Sequence, residues 1–172
     1  DDDLAADMQE MIEARLAAAG YAHYETSAFA KPAGDANSQC QHNLNYWNFG
    51  DYLGIGAGAH SKLSNHDTIW REARHRNPRA YLQGAASGDF ISTQAPIARA
   101  DLPGEFMMNA LRLNAGFPLQ LFTERTGLPL TTIEKSALAA RRDELLETVD
   151  GQLRPTAMGR SYLNRLLAGF LA

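Results

Sequence analysis

The segment HNLNYW, from His42 to Trp47, concentrates side chains that can hold and orient a ligand. It places one imidazole, two asparagine amides and two large aromatic groups in consecutive positions. So many large and polar side chains are unusual in a loop, which suggests that the loop is built to hold a ligand. The structural alternative is that the asparagines fix the loop through backbone hydrogen bonds, the aromatics fill a core beneath it, and His42 is satisfied there.

A second segment, GIGAGAH, ends at His60 and matches the dinucleotide-binding pattern GxGxxG/A at Gly54, Gly56 and Ala59. That pattern works when a helix starts inside it and an acidic residue about 20 positions later contacts the ribose. The following residues HSKLSNHD have no helical periodicity, so a Rossmann site is disfavoured. We predict instead that DYLGIGAGA is a short buried strand, whose glycines let another group approach the backbone closely.

The remaining reactive side chains form no recognised catalytic or metal-binding spacing. His60, His66 and His75 do not match a metal motif. Cys40 is the only cysteine, which excludes an intrachain disulfide and any site built from several thiolates. The densest basic cluster contains Arg71, Arg74, Arg76 and Arg79. We interpret it as a solvated basic face, with a partner's acidic surface as the alternative.

Composition places the chain among globular proteins. Its 172 residues are 45% hydrophobic, enough for one substantial core or two small ones. A net charge of -4 gives no overall attraction to nucleic acid or anionic lipid. No apolar run approaches the roughly 20 residues that span a bilayer, and the first residues lack a signal-peptide pattern, so we expect a cytoplasmic protein.

The first third of the chain predicts a helix followed by a strand. Apolar residues recur at helical spacing in DDDLAADMQEMIEARLAAAGY, and Gly20 is placed to end that helix. The aromatic, β-favouring stretch YAHYETSAFA predicts the strand, and KPAGDANSQCQ predicts a loop. Because the sequence opens without Met inside a helix, we expect it to be part of a longer protein.

The rest of the chain predicts mainly helices. NPRAYLQGAASG indicates a short helix ending near Gly88, followed by a connecting segment through Pro96. Asp101 can cap the next helix. Two further helices follow, one from Pro118 to Thr126 that Gly127 closes and one from Thr131 to about Leu146. A hairpin then turns at Asp150-Gly151, and a last helix has the apolar positions Leu163, Leu166, Leu167 and Phe170.

This order of elements is a winged-helix pattern, which raises the possibility of DNA binding. From Pro118 onward, seven basic residues stand against six acidic ones. The predicted recognition helix also carries Glu134, Asp143 and Glu144 beside its basic residues. Phosphate contacts favour a single positive sign, so a packing or lid domain is the better interpretation.

Taken together, four segments resemble a known family. They are HNLNYW, DYLGIGAGAHS, the preceding HYETSAFAKP and the helix LPGEFMMNALRLNAGF. The chain resembles the oxygen-independent coproporphyrinogen III oxidase-like radical S-adenosylmethionine (SAM) proteins, and within them the HemW haem-chaperone group. HNxxYW followed by GIGAGAHS at this separation is more specific than either pattern alone.

The resemblance implies an α/β fold. Residues 1–95 would be the C-terminal strands and helices of an incomplete, TIM-like radical SAM barrel with a connecting segment, and residues 96–172 a mainly helical, winged-helix-like C-terminal domain. Members of the family hold a [4Fe-4S] cluster with a CxxxCxxC motif. A chain with one cysteine lacks that motif, so we expect no cluster in it.

The resemblance also implies two binding sites. The SAM pocket would include Gly54, Gly56, Gly58, Ala59 and His60, because sites of parallel barrels lie at the carboxyl ends of strands. The alternative is that these small residues relieve crowding inside a barrel. His42 would be the ligand to haem iron, with Tyr46 and Trp47 offering flat faces to the porphyrin. Cys40 is a second conceivable iron ligand, and the arginine cluster could meet the porphyrin propionates.

Two activities follow from this family. One is a haem chaperone that passes haem to acceptor proteins such as respiratory enzymes, and HNxxYW favours it. The other is an oxygen-independent coproporphyrinogen III oxidase, which decarboxylates propionates by radical chemistry after reductive cleavage of SAM. A membrane-associated partner is compatible with the first role, and the exposed apolar edge of a half-barrel predicts self-association. A DNA-binding winged helix is the least favoured alternative.

Overall fold

The first part of the chain is a helix followed by a short antiparallel hairpin. The computed structural model describes residues 2–32 and 38–171. Helix α1 (Asp2–Ala18) ends before Gly20, whose φ of 81° confirms the predicted stop. The single predicted strand is wrong, because strands β1 (Ala22–Glu25) and β2 (Ala28–Ala30) fold back on each other. Part of the predicted loop KPAGDANSQCQ, residues 33–37, lies outside the described residues.

The middle part is built on a three-stranded sheet. Helix α2 (Gln41–Trp47) is followed by an irregular loop, and then by strands β3 (His60–Ser64), β4 (Ile69–Arg74) and β5 (Ile91–Pro96). The strands pair antiparallel in the order β3-β4-β5, with helix α3 (Pro78–Ser87) between β4 and β5. Asn77 accepts hydrogen bonds from two amides at the start of α3, and Gly88 closes it in the left-handed conformation, as predicted.

Three predictions for this middle part are wrong. HNLNYW is a helix and not a loop, and the segment through Pro96 is a strand because it pairs with β4. DYLGIGAGA is a loop and not a buried strand: Leu53 is 68% exposed and Ile55 is 88% exposed. Two of its glycines, Gly56 and Gly58, have positive φ and adopt turn conformations that a strand ladder cannot use. Strand β3, not a helix, follows GIGAGA, which agrees with the sequence argument against a dinucleotide site.

The last part combines helices with a small sheet. Its elements are α4 (Leu102–Ala110), β6 (Phe117–Pro118), α5 (Leu119–Thr126), α6 (Thr131–Arg142), β7 (Leu146–Val149), β8 (Gln152–Pro155), α7 (Ala157–Ser161) and α8 (Leu163–Ala168). The strands pair antiparallel in the order β6-β8-β7. Gly127 closes α5 and Asp150-Gly151 turns the hairpin, both as predicted. Helix α6 ends at Arg142, earlier than predicted, and Glu144 follows with a φ of 59°.

The main hydrophobic core lies in this last part and is centred on Phe106. Its ring meets those of Phe117 and Phe122 edge-on, with ring centroids 5.0 and 5.2 Å apart. Phe49, which follows α2, completes the aromatic cluster at 5.6 Å from Phe106. Phe49, the second residue after the HNLNYW helix, is therefore part of the C-terminal core.

The described residues form no closed barrel. Their strands lie in three separate sheets, and every strand pairing is antiparallel. Parallel pairing requires a crossover of a dozen or more residues, whereas β1 and β2, or β3 and β4, are joined by short turns. The predicted parallel barrel strands are therefore not found among these residues. The domain boundary at residue 95 stays a prediction.

Candidate functional site

Helix α2 presents His42 and Tyr46 on one side. They are four positions apart, which places them one turn above each other, and their rings meet edge-on with centroids 4.6 Å apart. His42 is exposed. Within the part of the chain that the structure describes, its imidazole contacts the Tyr46 ring and has no hydrogen-bond partner. The ring nitrogens are therefore available to an external ligand.

Tyr52 extends this surface beyond the helix. Its ring centroid lies 4.2 Å from that of Tyr46, and its hydroxyl accepts a hydrogen bond of 3.1 Å from Arg71. Burial, together with the neighbouring Tyr52 phenol, raises the pKa of Tyr46 above its usual value of 10.0. Sequence reasoning missed Tyr52 because it lies in the segment predicted to be a strand. The four side chains His42, Tyr46, Tyr52 and Arg71 form a continuous row, here called the α2 row.

Trp47 does not join the α2 row. It lies five positions from His42, which turns it to another side of the helix. The guanidinium of Arg112 covers its ring at 4.3 Å from the centroid, and its buried Nε1 has no hydrogen-bond partner. Arg112 in turn lies 3.6 Å from the carboxylate of Glu25. The helix therefore turns Trp47 away from His42, and Arg112 covers one face of its indole. The contact of Trp47 with a porphyrin stays a prediction from resemblance.

Cys40 immediately precedes α2 and is a free, exposed thiol. Its backbone amide donates to the Tyr24 hydroxyl at 3.4 Å, and the side-chain amide of Asn43 donates to the same oxygen at 3.4 Å. These bonds anchor the start of the helix on strand β1. Asn43 thus anchors the helix through a side chain, whereas Asn45 makes the backbone hydrogen bond of the structural alternative by donating to the Asp51 carbonyl at 2.9 Å.

The end of α2 is fixed by a buried lysine. Lys62 is 2% exposed, and its ammonium donates to the Phe49 carbonyl at 3.0 Å, to Asp51 at 3.0 Å and to Ser64 at 3.2 Å. These bonds use all three ammonium donors. They hold Phe49 in a left-handed conformation, with a φ of 55°, and so fix the path of the chain directly after α2.

The same contacts set the charges of this pair. Burial lowers the pKa of Lys62, although the hydrogen bond and charge of Asp51 oppose that effect. Partial burial alone would raise the pKa of Asp51, but hydrogen bonds from Ser64 and Lys62 outweigh it and bring the pKa below 3.8. The Asp51 carboxylate is therefore ionised at neutral pH and holds the loop to β3.

The glycine loop is fixed by its own hydrogen bonds. The amide of Gly54 donates to the Ser61 hydroxyl at 3.0 Å, and that of Gly56 to the Tyr81 hydroxyl at 3.1 Å. The amides of Gly58 and Ala59 donate to the backbone carbonyls of His75 and Gly56. Four amides of the predicted SAM pocket are thus already used.

Each glycine has a local reason for its type. A Cβ on Gly54 would lie 2.2 Å from the carbonyl oxygen of His60, so this position admits no side chain. Gly56 and Gly58 have φ of 107° and 73°, and Gly56 faces open space. His60 itself is exposed. These residues do not form a free donor set for SAM, and the SAM assignment stays a prediction from resemblance.

A buried ion pair lies beneath the glycine loop. Arg74 and Glu72 are each 7% exposed and meet at 2.9 Å. Arg74 also donates to the Gly54 carbonyl at 3.2 Å, so this arginine fixes the loop and is not available to a ligand. Arg76 and Arg79 are exposed near α3. The predicted arginine cluster is therefore divided, and Arg71 alone of its members belongs to the α2 row.

Within residues 2–32 and 38–171, no three histidine, cysteine, aspartate or glutamate side chains are grouped so that they could hold a metal ion. No helix in that same part of the chain is long and apolar enough to cross a membrane. A single exposed imidazole beside the Tyr46 ring does fit a porphyrin, since one ring nitrogen could hold haem iron while a neighbouring aromatic side chain contacts the macrocycle.

The comparisons with known proteins agree with this chemistry. Residues 97–162 match the family described as the HemN C-terminal domain. The chain is 42% identical to the haem chaperone HemW of Escherichia coli K12 and 39% identical to that of Haemophilus influenzae, covering 100% and 99% of this chain. It spans 44% and 43% of those two relatives, less than half of their length.

A solved structure shows the same fold. Coproporphyrinogen III oxidase (HemN) from Escherichia coli, described as a radical SAM enzyme, superposes with a TM-score of 0.63 over 96% of this chain and 40% of that one. The two sequences are 17% identical over this match. The likeness therefore concerns the α/β fold of this region.

Proposed function

Because the chain belongs to the family of HemN- and HemW-like proteins, we propose that it is a haem-binding portion of a HemW-type haem chaperone. In this role it would hold haem for transfer to acceptor proteins, among them respiratory enzymes. SAM and a [4Fe-4S] cluster would be held by the longer proteins of this family. The site would function in the cytoplasm, with the winged-helix-like residues 96–172 packed beneath it.

The observation that carries the proposal is the exposed imidazole of His42, which contacts the Tyr46 ring and has no hydrogen-bond partner within residues 2–32 and 38–171. His42 rests edge-on against Tyr46, and this contact leaves both ring nitrogens without a hydrogen-bond partner among the described residues. That arrangement suits a haem that must be both bound and released, because a surface ligand can dissociate without opening a core.

The direct test is haem titration of the chain and of His42→Ala, followed by absorption spectroscopy. We expect His42→Ala to shift the Soret band and to weaken binding by at least about tenfold, the effect of losing roughly 1.4 kcal/mol. His66→Ala is a matched control, because His66 is also exposed and lies in a β turn away from α2. A variant His42→Ala with the spectrum and affinity of the parent would refute the assignment of the iron ligand.

The second candidate function is the oxidase, and the fold shared with HemN favours it. An anaerobic assay of a longer protein that includes this chain and a CxxxCxxC motif, with coproporphyrinogen III, SAM and reconstituted cluster, separates the two. We expect no protoporphyrinogen from the chaperone. Product formation would reverse this ranking.

A further inference from the structure

Among the four arginines of the basic cluster, Arg71 differs in its surroundings. Its side chain is 38% exposed, and its guanidinium lies between the Tyr52 hydroxyl and the Glu105 carboxylate, at 3.1 and 2.5 Å. It is fixed in place, yet part of the fork still faces solvent. An arginine has five N–H donors, and these two bonds leave others free.

The order of the groups along the α2 row is the order in which haem presents its iron, ring and propionates. Haem carries its iron at the centre of the macrocycle and its two propionates along one edge. In the α2 row the imidazole of His42 and the guanidinium of Arg71 are separated by two phenol rings, those of Tyr46 and Tyr52. The row thus has a possible iron ligand at one end, aromatic rings in the middle and a cation at the other end. Haem has its iron, ring and propionates in the same order.

Arg71 is the more accessible of two cations that lie side by side on the sheet. The neighbouring strand places Lys62 directly opposite Arg71, so two cations share one face of the sheet. Lys62 is fully used by its own three acceptors, and it is buried. Arg71 is therefore the cation of this pair that an external anion can reach, and its planar fork suits the two oxygens of a carboxylate.

We propose that Arg71 binds a propionate carboxylate of the haem whose iron is held by His42, and that Tyr52 positions the guanidinium for this contact. The proposal rests on the haem-binding function above and adds to it the group that recognises the porphyrin edge. Glu105 has an opposing role, because its carboxylate competes with the propionate for the same guanidinium.

The test compares haem with haem dimethyl ester, which has the same iron and ring but no propionate charge. We expect the parent chain to bind the free acid about tenfold more tightly, the value of one charge-assisted hydrogen bond at the low end of its range. Arg71→Gln should lose this preference, and Arg71→Lys should keep part of it. Glu105→Gln should increase the preference. Arg79→Gln, at an exposed arginine on α3, should leave it unchanged.

The outcomes separate this inference from the proposed function. Arg71 does not contact a propionate if Arg71→Gln keeps the preference for the free acid, or if the parent binds both forms equally. That conclusion holds even if His42→Ala still alters the Soret band. If His42→Ala leaves the band unchanged, the iron ligand is refuted, whereas an acid preference that depends on Arg71 still supports the carboxylate site. Far-ultraviolet circular dichroism of each variant shows that the comparison is made on folded protein.

Discussion

Replacement of Gly54 by alanine tests why the loop before β3 is rich in glycine. The added Cβ would lie 2.2 Å from the oxygen, 2.7 Å from the carbon and 2.8 Å from the nitrogen of the His60 backbone. Contacts under 3.0 Å essentially do not occur, and these atoms are backbone, so they cannot rotate away. His60 is the first residue of β3 and pairs with Ala73. Either the loop or the strand must move.

The magnitude follows from comparing three glycines of the same loop. We expect Gly54→Ala to lower the free energy of unfolding by about 2 to 3 kcal/mol, the upper range for overpacking. Gly58→Ala meets only ordinary contacts, at 3.8 Å, and its cost of about 1 kcal/mol comes from its left-handed φ. Gly56→Ala adds no contact within 4 Å, so backbone strain alone, about 1 to 2 kcal/mol, opposes it.

Urea denaturation of the ligand-free chain and its three variants measures these differences. If the glycines are present only to admit a cofactor, the ligand-free Gly54→Ala chain should be as stable as the parent, and the internal-packing explanation would be wrong. A Gly54→Ala cost smaller than that of Gly58→Ala would refute the steric argument as well.

Three further changes should have defined effects. Phe106→Ala removes a fully buried ring that contacts three other phenylalanines, and we expect a loss of about 3 to 5 kcal/mol in urea denaturation; a loss under about 1 kcal/mol would contradict the position of the core. Because the pKa of Asp51 is lowered in the folded protein, its carboxylate stabilises the fold fully above the unfolded pKa near 3.8, and this stabilisation is lost as pH falls through the lower folded pKa. Asp51→Asn should therefore weaken the decrease of the melting temperature in acid. The same decrease in both proteins would refute the role of Asp51. Tyr46→Phe should remove one phenol that titrates above pH 10.0 from the ultraviolet titration curve, because burial raises its pKa; the same curve in both proteins would be the contrary result.

The C-terminal elements could be predicted because their ends carry local signals. Gly127 and the Asp150-Gly151 turn need left-handed backbone, which few other residues adopt easily, so sequence and structure agree there. Asn77 caps α3 for an equally local reason. Such signals depend on neighbouring residues alone and can be read without knowledge of the fold.

Helix α2 and strand β5 could not be predicted because distant residues form them. α2 has only seven residues, no side-chain cap and no buried residue of its own. It is held by Tyr24 and by the Asn45 side chain, which donates to the Asp51 carbonyl at 2.9 Å. β5 is mostly exposed and ends at Pro96, so it shows no alternation and is defined by pairing with β4.

Within the candidate site, His42 and Tyr46 could be found from the sequence, whereas Tyr52 and the orientation of Trp47 could not. The composition of HNLNYW identified the segment but not its conformation. Had a helix been assigned, the spacing of four positions would have paired His42 with Tyr46 and turned Trp47 away. The contact with Tyr52 depends on the return of the loop along β3 and has no local signal.

Phe49 connects the exposed helix α2 to the hydrophobic core. It ends the turn that follows α2 and packs on Phe106 in helix α4, with the ring centroids 5.6 Å apart. A tilt of α2 would therefore be transmitted to α4 through two touching rings. Hydrogen exchange of the α4 amides would then slow when a ligand binds the α2 row. The C-terminal core would thus respond to ligand binding at a site that lies outside it.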